Sequence, residues 1–186
     1  MVTSYIFLAG ASRGVGREIA NCLTAQENQV KALLRTEEKR QELEAMGITV
    51  ALGDALNIDD VEKVILAEEK IDIVISTIGG VPKDSERADY LGNKNLIDAA
   101  VKAGVKKFIL ISSIGSGNSA NAIPPQALET LKPVLIEKEK AEKHLIESGL
   151  TYTVIRPGGL KSEPATGNGI LTEDPKIAGT IHRADV

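Results

Sequence analysis

Three glycines near the N-terminus have the spacing of a turn that can hold a phosphate. Gly10, Gly14 and Gly16 take the first, fifth and seventh positions of this turn, between the strand-like run 6–9 and a helical pattern at 15–23. Such a turn brings backbone N–H groups to a bound anion at the positive end of a helix, where a Cβ would block the approach. Its position matches the first βα unit of a dinucleotide-binding fold. The alternative is a glycine-rich turn that binds nothing.

Two arginines indicate which dinucleotide this turn would take. A site for NAD usually has an acidic residue at the end of the second strand, about twenty residues past the turn, to hold the ribose 2′-hydroxyl. Arg35 stands at that place and Arg13 lies within the turn, which gives two guanidinium groups suited to a 2′-phosphate. The sequence therefore favours NADP over NAD. Both arginines could instead be solvated surface residues, and Glu37 and Glu38 could weaken the preference.

Lys138 lies within the apolar face of a long predicted helix, together with Glu142. A lysine among apolar neighbours is costly unless its ammonium group finds a partner. We therefore expect Lys138 to extend to the surface, to pair with Glu142 one turn later, or to reach a functional site. At about 100° per residue, the apolar residues on this face are Leu131, Val134, Leu135, Ala141, Leu145 and Ile146.

These residues need a scaffold, and the sequence predicts six strands that alternate with helices. The predicted strands are 6–9, 30–34, 48–52, 71–77, 108–111 and 151–156, and the predicted helices are 15–23, 39–46, 57–66, 85–103 and 133–148, with a flexible loop at 115–126. This alternation indicates an α/β fold with an open, doubly wound parallel sheet, strand order 3-2-1-4-5-6 and helices on both faces. Ligands of such sheets bind outside the carboxyl ends of the strands.

Composition narrows the class of partner. The chain has 186 residues and a net charge of −4, with 22 basic and 26 acidic residues interspersed and 3% aromatic residues. It lacks the positive field and the stacking aromatics of a nucleic-acid-binding protein. We expect one domain (1–186), in which residues 157–186, without strong periodicity, form a small C-terminal cap over the edge of the sheet.

Cys22 is the single cysteine, which rules out an internal disulfide and argues against a cysteine-based metal site, so no metal is predicted. Its apolar neighbours indicate a buried position on the first helix. The chain has neither a basic leader nor a run of about 20 apolar residues, so we expect no membrane span and a cytoplasmic location.

The chain resembles the atypical, NAD(P)-binding branch of the short-chain dehydrogenase/reductase superfamily, which includes NmrA-like proteins, biliverdin reductase B-type flavin reductases and Tic62-like proteins. The resemblance covers nearly the whole chain. It is carried by the segments 10–16, Arg35, 53–54, Ser112-Ser113, 138–142 and 148–159.

The resemblance implies a Rossmann fold and a role for each site residue. The pyrophosphate would lie on the turn, the 2′-phosphate near its arginine and Arg35, and the adenine and its ribose beside the ends of the third and fourth strands. The nicotinamide would lie beside the ends of the fifth and sixth strands. The implied cofactor-binding residues are Gly10, Ser12, Arg13, Gly14, Val15, Gly16, Arg35, Asp54, Ala55, Thr77, Ile78, Gly79, Ser112, Lys138, Pro157 and Gly158.

One departure from the family bears on catalysis. Tyrosine-dependent members have Tyr-x-x-x-Lys, but Val134 stands four residues before Lys138, and Tyr5, Tyr90 and Tyr152 do not have this spacing. Carbonyl reduction through a Ser-Tyr-Lys set is therefore not expected.

Two functions remain open from the sequence. The first is an NADPH-dependent oxidoreductase for a flavin, quinone or similar conjugated acceptor, with Ser113 and Lys138 as the catalytic residues, which contact the substrate and orient the ribose. Such acceptors delocalise electrons and take a proton from water, so they need no tyrosine. The second is a non-catalytic NADP(H)-binding redox sensor or assembly factor that acts through a protein partner. Members of the family usually continue into another helix after 184–186, and a reduced or shortened cap would leave a more open substrate pocket.

Overall fold

The computed structural model describes residues 4–67, 70–80 and 88–186. Within these residues, six strands form one sheet whose neighbouring strands are all parallel. The strands are β1 (Tyr5–Ala9), β2 (Gln29–Leu34), β3 (Thr49–Leu52), β4 (Ile73–Ser76), β5 (Lys107–Ile111) and β6 (Thr151–Ile155). Their order is β3-β2-β1-β4-β5-β6, so the predicted fold class and strand order are confirmed.

Helices cover both faces of the sheet. They are α1 (Gly14–Ala25), α2 (Arg40–Glu44), α3 (Ile58–Ile65), α4 (Asn93–Lys102) and α5 (Pro125–Glu147). A π-helical turn (Ala88–Gly92) leads into α4, and 3₁₀ turns lie at Glu37–Lys39, Gly117–Ala122 and Arg183–Asp185. The predicted start of the fourth helix at Ser85 falls outside the described residues.

Successive side chains of β1 point to opposite faces of the sheet, so the core lies in two layers. Phe7 packs with apolar residues of α3, α4 and α5, while Leu8 packs with Ala20 of α1 and Leu43 of α2. Because both faces of β1 are buried, its sequence is a continuous apolar run rather than an alternating one. The central position of β1, between β2 and β4, places the turn after it at the point where the strand order reverses.

Two helix predictions need correction. Helix α5 begins at Pro125 and contains Pro133 in its interior, whereas Pro133 was expected near its start. Proline is favoured in the first turn of a helix, and Pro125 fills that role here. On the face predicted to be apolar, Leu131 and Ile146 are exposed.

Cys22 is exposed rather than buried, which corrects the prediction for α1. The fully buried positions of this helix are Val15, Gly16 and Ala20. Cys22 lies two residues from Ala20, a rotation of about 200° around the helix, and so it faces away from the sheet.

The C-terminal cap forms its own small structure. Two short strands, β7 (Gly159–Lys161) and β8 (Thr180–His182), pair in parallel. The Asp185 carboxylate accepts hydrogen bonds from the backbone N–H of Thr166 (2.9 Å) and of Gly167 (2.9 Å), and these bonds lower the pKa of Asp185. They close the loop between β7 and β8 onto the last residues. The division into one domain with a cap stays a prediction.

Candidate functional site

A cleft of about 1490 Å³ runs along the carboxyl ends of β1, β2, β4 and β5. Pockets for a single drug-sized ligand occupy about 300–1,000 Å³, so this cleft has room for a larger ligand or for two. Its lining includes every predicted site residue except Pro157 and Gly158. Pro157 is buried, and its carbonyl oxygen accepts from the backbone N–H of Ile114 at 2.9 Å. A Cβ on Gly158 would lie 2.3 Å from the carbonyl oxygen of Gly179, so Gly158 allows the cap to approach closely.

The three glycines of the turn serve different purposes. Gly10 has a φ of +99°, and a Cβ there would lie 2.2 Å from Thr77 Oγ1. A Cβ on Gly16 would lie 2.1 Å from the carbonyl oxygen of Gly10, so these two glycines let the turn, α1 and the end of β4 approach closely. Gly14 has a φ of +59°, and the nearest atom to its Cβ position is Arg183 Nε at 3.8 Å. A Cβ on Gly14 would thus meet only the Arg183 side chain, at an ordinary contact distance, so this position needs glycine mainly for its positive φ.

The N-terminus of α1 has no capping side chain of its own. Arg13, the N-cap residue, makes no side-chain hydrogen bond to the helix, and the first turn contains no acidic residue. The first N–H groups of a helix need acceptors from elsewhere, and the aligned peptide dipoles make this end positive. The end of α1 thus has the properties of an anion site that the turn was predicted to form.

Thr77 and Asp54 hold the backbone on either side of β1. Thr77 Oγ1 donates to the carbonyl oxygens of Ala9 (3.2 Å) and Gly10 (3.4 Å), which ties the end of β4 to the glycine turn. Asp54 Oδ1 accepts from the backbone N–H of Leu56 at 3.0 Å. Both residues line the cleft, so they combine a structural bond with a position beside the ligand space.

Arg13 and Arg35 are exposed, and neither forms an ion pair in the described part of the chain. Of the two nearby glutamates, Glu37 accepts from Arg40 at 3.0 Å and lies outside the lining, whereas Glu38 lines the cleft. One of the carboxylates expected to weaken a preference for phosphate is thus occupied by another arginine.

Lys138 reaches the cleft and pairs with a carboxylate that the sequence did not single out. Its Nζ lies 3.2 Å from Oδ1 of Asp89, which is 1% exposed. Of the three alternatives for Lys138, the structure shows the side chain at the cleft, with Asp89 rather than Glu142 as its carboxylate partner. Asp89 Oδ2 also accepts from the backbone N–H of Gly80 at 2.8 Å, so the carboxylate is held from two sides.

Glu142 belongs to a second buried cluster. It is 2% exposed, accepts from Ser112 Oγ, and accepts from Arg156 through Nε at 3.2 Å and Nη2 at 2.7 Å. The remaining Nη1 of Arg156 donates to Asn118. Ser112 thus directs its hydroxyl hydrogen into the protein. A buried carboxylate with two hydrogen-bonded partners fixes the ends of β5 and β6 relative to α5.

Ser113 and the tyrosines, the other side chains considered for catalysis, make fewer contacts of this kind. Ser113 lines the cleft, half-buried, and its Oγ donates to the carbonyl oxygen of Ile114 at 3.0 Å. No tyrosine is part of the cleft lining within the described residues. Tyr90 lies beneath Lys140, with Nζ 5.8 Å from the ring centre, and Tyr152 is exposed on β6.

The cap contributes a group of lining residues that sequence reasoning missed. It was expected to cover the edge of the sheet, but without periodicity its contacts could not be assigned. The cap residues that line the cleft are Leu160, Ser162, Glu163, Pro164, Arg183 and Ala184.

These features fit a dinucleotide. The uncapped N-terminus of α1 and the cleft beside it suit a pyrophosphate, and arginines without an ion-pair partner among the described residues suit further phosphate. Among the described residues, no cluster of histidine, cysteine and carboxylate side chains is arranged to hold a metal ion. No helix in the described ranges is both long and apolar enough to cross a membrane, and the cytoplasmic location stays a prediction.

Comparisons with known proteins show the family of this chain. A family model described as NAD(P)H-binding matches residues 10–186. The chain is 35% identical over 187 residues to a Bacillus subtilis (strain 168) protein called uncharacterized sugar epimerase YhfK, covering 97% of this chain and 83% of that protein. It is 32% identical over 206 residues to the chloroplastic protein TIC 62 of Pisum sativum, covering 97% of this chain and 38% of that protein.

A solved structure extends the likeness to three dimensions. ChuY, described as an anaerobillin reductase from Escherichia coli O157:H7, matches with a TM-score of 0.89 and 32% identity, covering 98% of this chain and 86% of that chain. The chain therefore belongs to the NAD(P)H-binding, oxidoreductase-like family of atypical short-chain dehydrogenase/reductases that includes NmrA-like and Tic62-like proteins.

Proposed function

We propose that this protein is an NADPH-dependent oxidoreductase that reduces a flavin, a quinone or a similar conjugated acceptor. The observation that carries the proposal is the continuity of one cleft from Arg35, past the glycine turn, to Ser113 and Lys138. Such a cleft can hold an extended dinucleotide and still leave a second ligand beside its far end. The 32% identical ChuY, described as a reductase, supports the same class of activity.

The turn 10–16 and the N-terminus of α1 bind the pyrophosphate in this proposal, and Arg13 and Arg35 bind the 2′-phosphate. Asp54, Ala55 and the segment 77–79 lie beside the adenosine. The preference for NADP over NAD rests on the two arginines, which have no carboxylate partner in the described chain. Charge-assisted bonds to phosphate are the strongest that such a surface offers.

The end of the cleft near Lys138 and Ser113 positions the reacting groups, and no tyrosine transfers a proton there. When bound, the nicotinamide supplies a hydride to the acceptor. Lys138, held by Asp89, fixes the ribose next to the reacting ring, and Ser113 contacts the acceptor. Conjugated acceptors take their proton from water, which reaches this open cleft, so positioning is the main task of the protein.

The proposal is tested by following NADPH oxidation with FMN, a quinone and anaerobillin as acceptors. Lys138→Ala is expected to lower kcat/KM about 10- to 100-fold because the reacting groups lose their alignment. Lys140→Ala is the matched control, since Lys140 is exposed on the same helix and pairs with Glu137 at 2.6 Å. Equal rates for both variants would contradict the role of Lys138.

The second candidate, a non-catalytic NADP(H) sensor, is favoured by one observation. Within the described residues the cleft has no tyrosine, and Ser112 donates its hydroxyl hydrogen to Glu142, so no side-chain hydroxyl of the usual set is free to donate to a substrate. Micromolar NADP binding without turnover of any acceptor would select this candidate over the enzyme.

A further inference from the structure

Arg183 of the cap lies over the glycine turn. Its Nε and Cδ atoms are 3.8 Å and 3.9 Å from the position that a Cβ on Gly14 would take. The residue opens the 3₁₀ turn Arg183–Asp185 and lines the cleft together with Ala184 and Ser162. The last turn of the described chain thus forms part of the wall around the N-terminus of α1.

The charge of Arg183 has no carboxylate partner among the described residues. Its Nη1 donates to the neutral Ser162 Oγ at 2.7 Å. Asp185, two residues away, accepts from the backbone of Thr166 and Gly167. Glu163, which also lines the cleft, lies 4.0 Å from His182 Nε2.

The surroundings of Arg183 add to the positive charge. The N-terminus of α1 is positive through its aligned peptide dipoles and has no acidic residue in its first turn, and Arg13 is its N-cap residue. A half-buried guanidinium beside a positive helix end is unfavourable unless an anion lies close to both. The cleft that Arg13, Gly14 and Arg183 line together is where such an anion fits.

We propose that Arg183 binds the pyrophosphate of the dinucleotide, so that the cap is part of the cofactor site and is stabilised by cofactor binding. This inference rests on the proposed cofactor-binding function. The pyrophosphate is favoured because the guanidinium lies over Gly14 rather than beside Arg35. The same bond draws the Arg183–Asp185 turn onto α1 and thereby holds the loop that Asp185 closes.

Binding measurements with three ligands test the assignment. NADP and NAD share the pyrophosphate, whereas adenosine 2′-monophosphate has the 2′-phosphate without it. We expect Arg183→Ala to weaken the binding of NADP and of NAD by the same factor, about 10- to 100-fold. The affinity for adenosine 2′-monophosphate should stay unchanged. Arg183→Lys restores part of the affinity because it keeps the charge but not the fork of donors. Lys176→Ala, an exposed cation of the cap outside the cleft lining, is the matched control.

Hydrogen exchange gives a readout that does not depend on activity. Adding NADP to the wild type is expected to slow exchange of the Thr166 and Gly167 amides, which are bonded to Asp185. At saturating NADP, Arg183→Ala loses this protection while the amides of β1 and β4 keep theirs.

The outcomes separate the two proposals. A wild type that binds neither dinucleotide overturns the proposed function together with this inference. Wild-type binding that is unchanged in both Arg183→Ala and Arg183→Lys overturns this inference alone. Loss confined to NADP and adenosine 2′-monophosphate also overturns it, because it would assign Arg183 to the 2′-phosphate.

Discussion

At one end of the cleft Arg13 and Arg35 form no ion pair with described residues, whereas at the other end Lys138 is held by a buried carboxylate. Arg156, outside the lining, is held by the buried Glu142, which also bonds the lining residue Ser112. Unpaired cations at a surface cost the protein little and leave donors free for an anionic ligand. Paired groups in the interior instead fix the shape of the protein around them. The comparison shows that the end of the cleft near the two arginines is suited to bind an anionic ligand. The end near Lys138 is suited to keep side chains in fixed positions.

Glu142→Ala should have the largest effect on stability. Removing the buried carboxylate leaves Arg156 without its charge partner and Ser112 without its acceptor. The expected cost is about 3 kcal/mol in the free energy of unfolding, at the low end for buried pairs because the guanidinium is partly exposed. Chemical denaturation measures this, with Glu139→Ala as a control, since Glu139 pairs with Lys143 at the surface and its loss should stay within about 0.5 kcal/mol. A cost below about 1 kcal/mol for Glu142→Ala would break the comparison, because the far end would then behave like a surface pair.

Arg35→Asp should change binding without changing stability. The variant loses charge-assisted bonds to the 2′-phosphate and gains a group suited to a ribose hydroxyl, so NADP affinity should fall about 10- to 100-fold relative to NAD. Titration calorimetry with both dinucleotides checks this. Lys132→Ala is the control, because Lys132 is an exposed cation on α5 and lies outside the cleft lining. An unchanged ratio of the NADP and NAD affinities would contradict the assignment of Arg35 to the 2′-phosphate.

Gly16→Ala should separate packing from binding within the turn itself. Its Cβ would lie 2.1 Å from the carbonyl oxygen of Gly10, and such overpacking costs about 1–3 kcal/mol. Gly149→Ala is the control for backbone strain alone, since Gly149 has a φ of +79° and open space around it, and about 1 kcal/mol is expected. Gly14→Ala should resemble this control in thermal unfolding yet bind NADP more weakly. Equal stability of all three variants would contradict the division of roles.

The smallest effect on stability is expected at Asp98, whose partly exposed ion pairs serve as the comparison for the buried pairs. Partial burial acts to raise its pKa, but hydrogen bonds from Lys94 and His144 outweigh this and lower the pKa below the ordinary 3.8. A depressed pKa stabilises the fold above pH 3.8 and loses that contribution as the pH falls through the folded-state value. Asp98→Asn should therefore cost under about 1 kcal/mol at neutral pH, and this cost should shrink in acid.

A carboxyl-carbon NMR titration locates the change at Asp98. A midpoint at or above 3.8 would contradict the lowered pKa. A cost at neutral pH as large as that of Glu142→Ala would show that burial does not distinguish the two classes of pair.

The sheet and the glycine turn could be predicted because their signals are local. Apolar runs and the spacing of Gly10, Gly14 and Gly16 are readable without knowing the path of the chain. The helix pattern also placed Lys138 on the inner face of α5. Its partner could not be predicted, because Asp89 lies on the turn before α4, far from α5 in the sequence. Folding alone brings this turn and α5 together.

The rest of the site depends on contacts between distant segments. Ser112, Glu142 and Arg156 come from the end of β5, from α5 and from the end of β6, so no spacing in the sequence links them. Arg183 reaches Gly14 across almost the whole chain. The start of α5 was also missed, because Pro125 and not Pro133 takes the first-turn position that proline favours.

The cap has a consequence for protein engineering. In the described chain no residue after Pro157 is buried, and neither core cluster contains one. Its loop is closed by Asp185 rather than by apolar packing. The stretch 168–178 can therefore be exchanged for loops of other lengths with little cost to the sheet, while Arg183 and Asp185 are kept. None of the residues 168–178 lines the cleft, so such exchanges should also leave the ligand space unchanged.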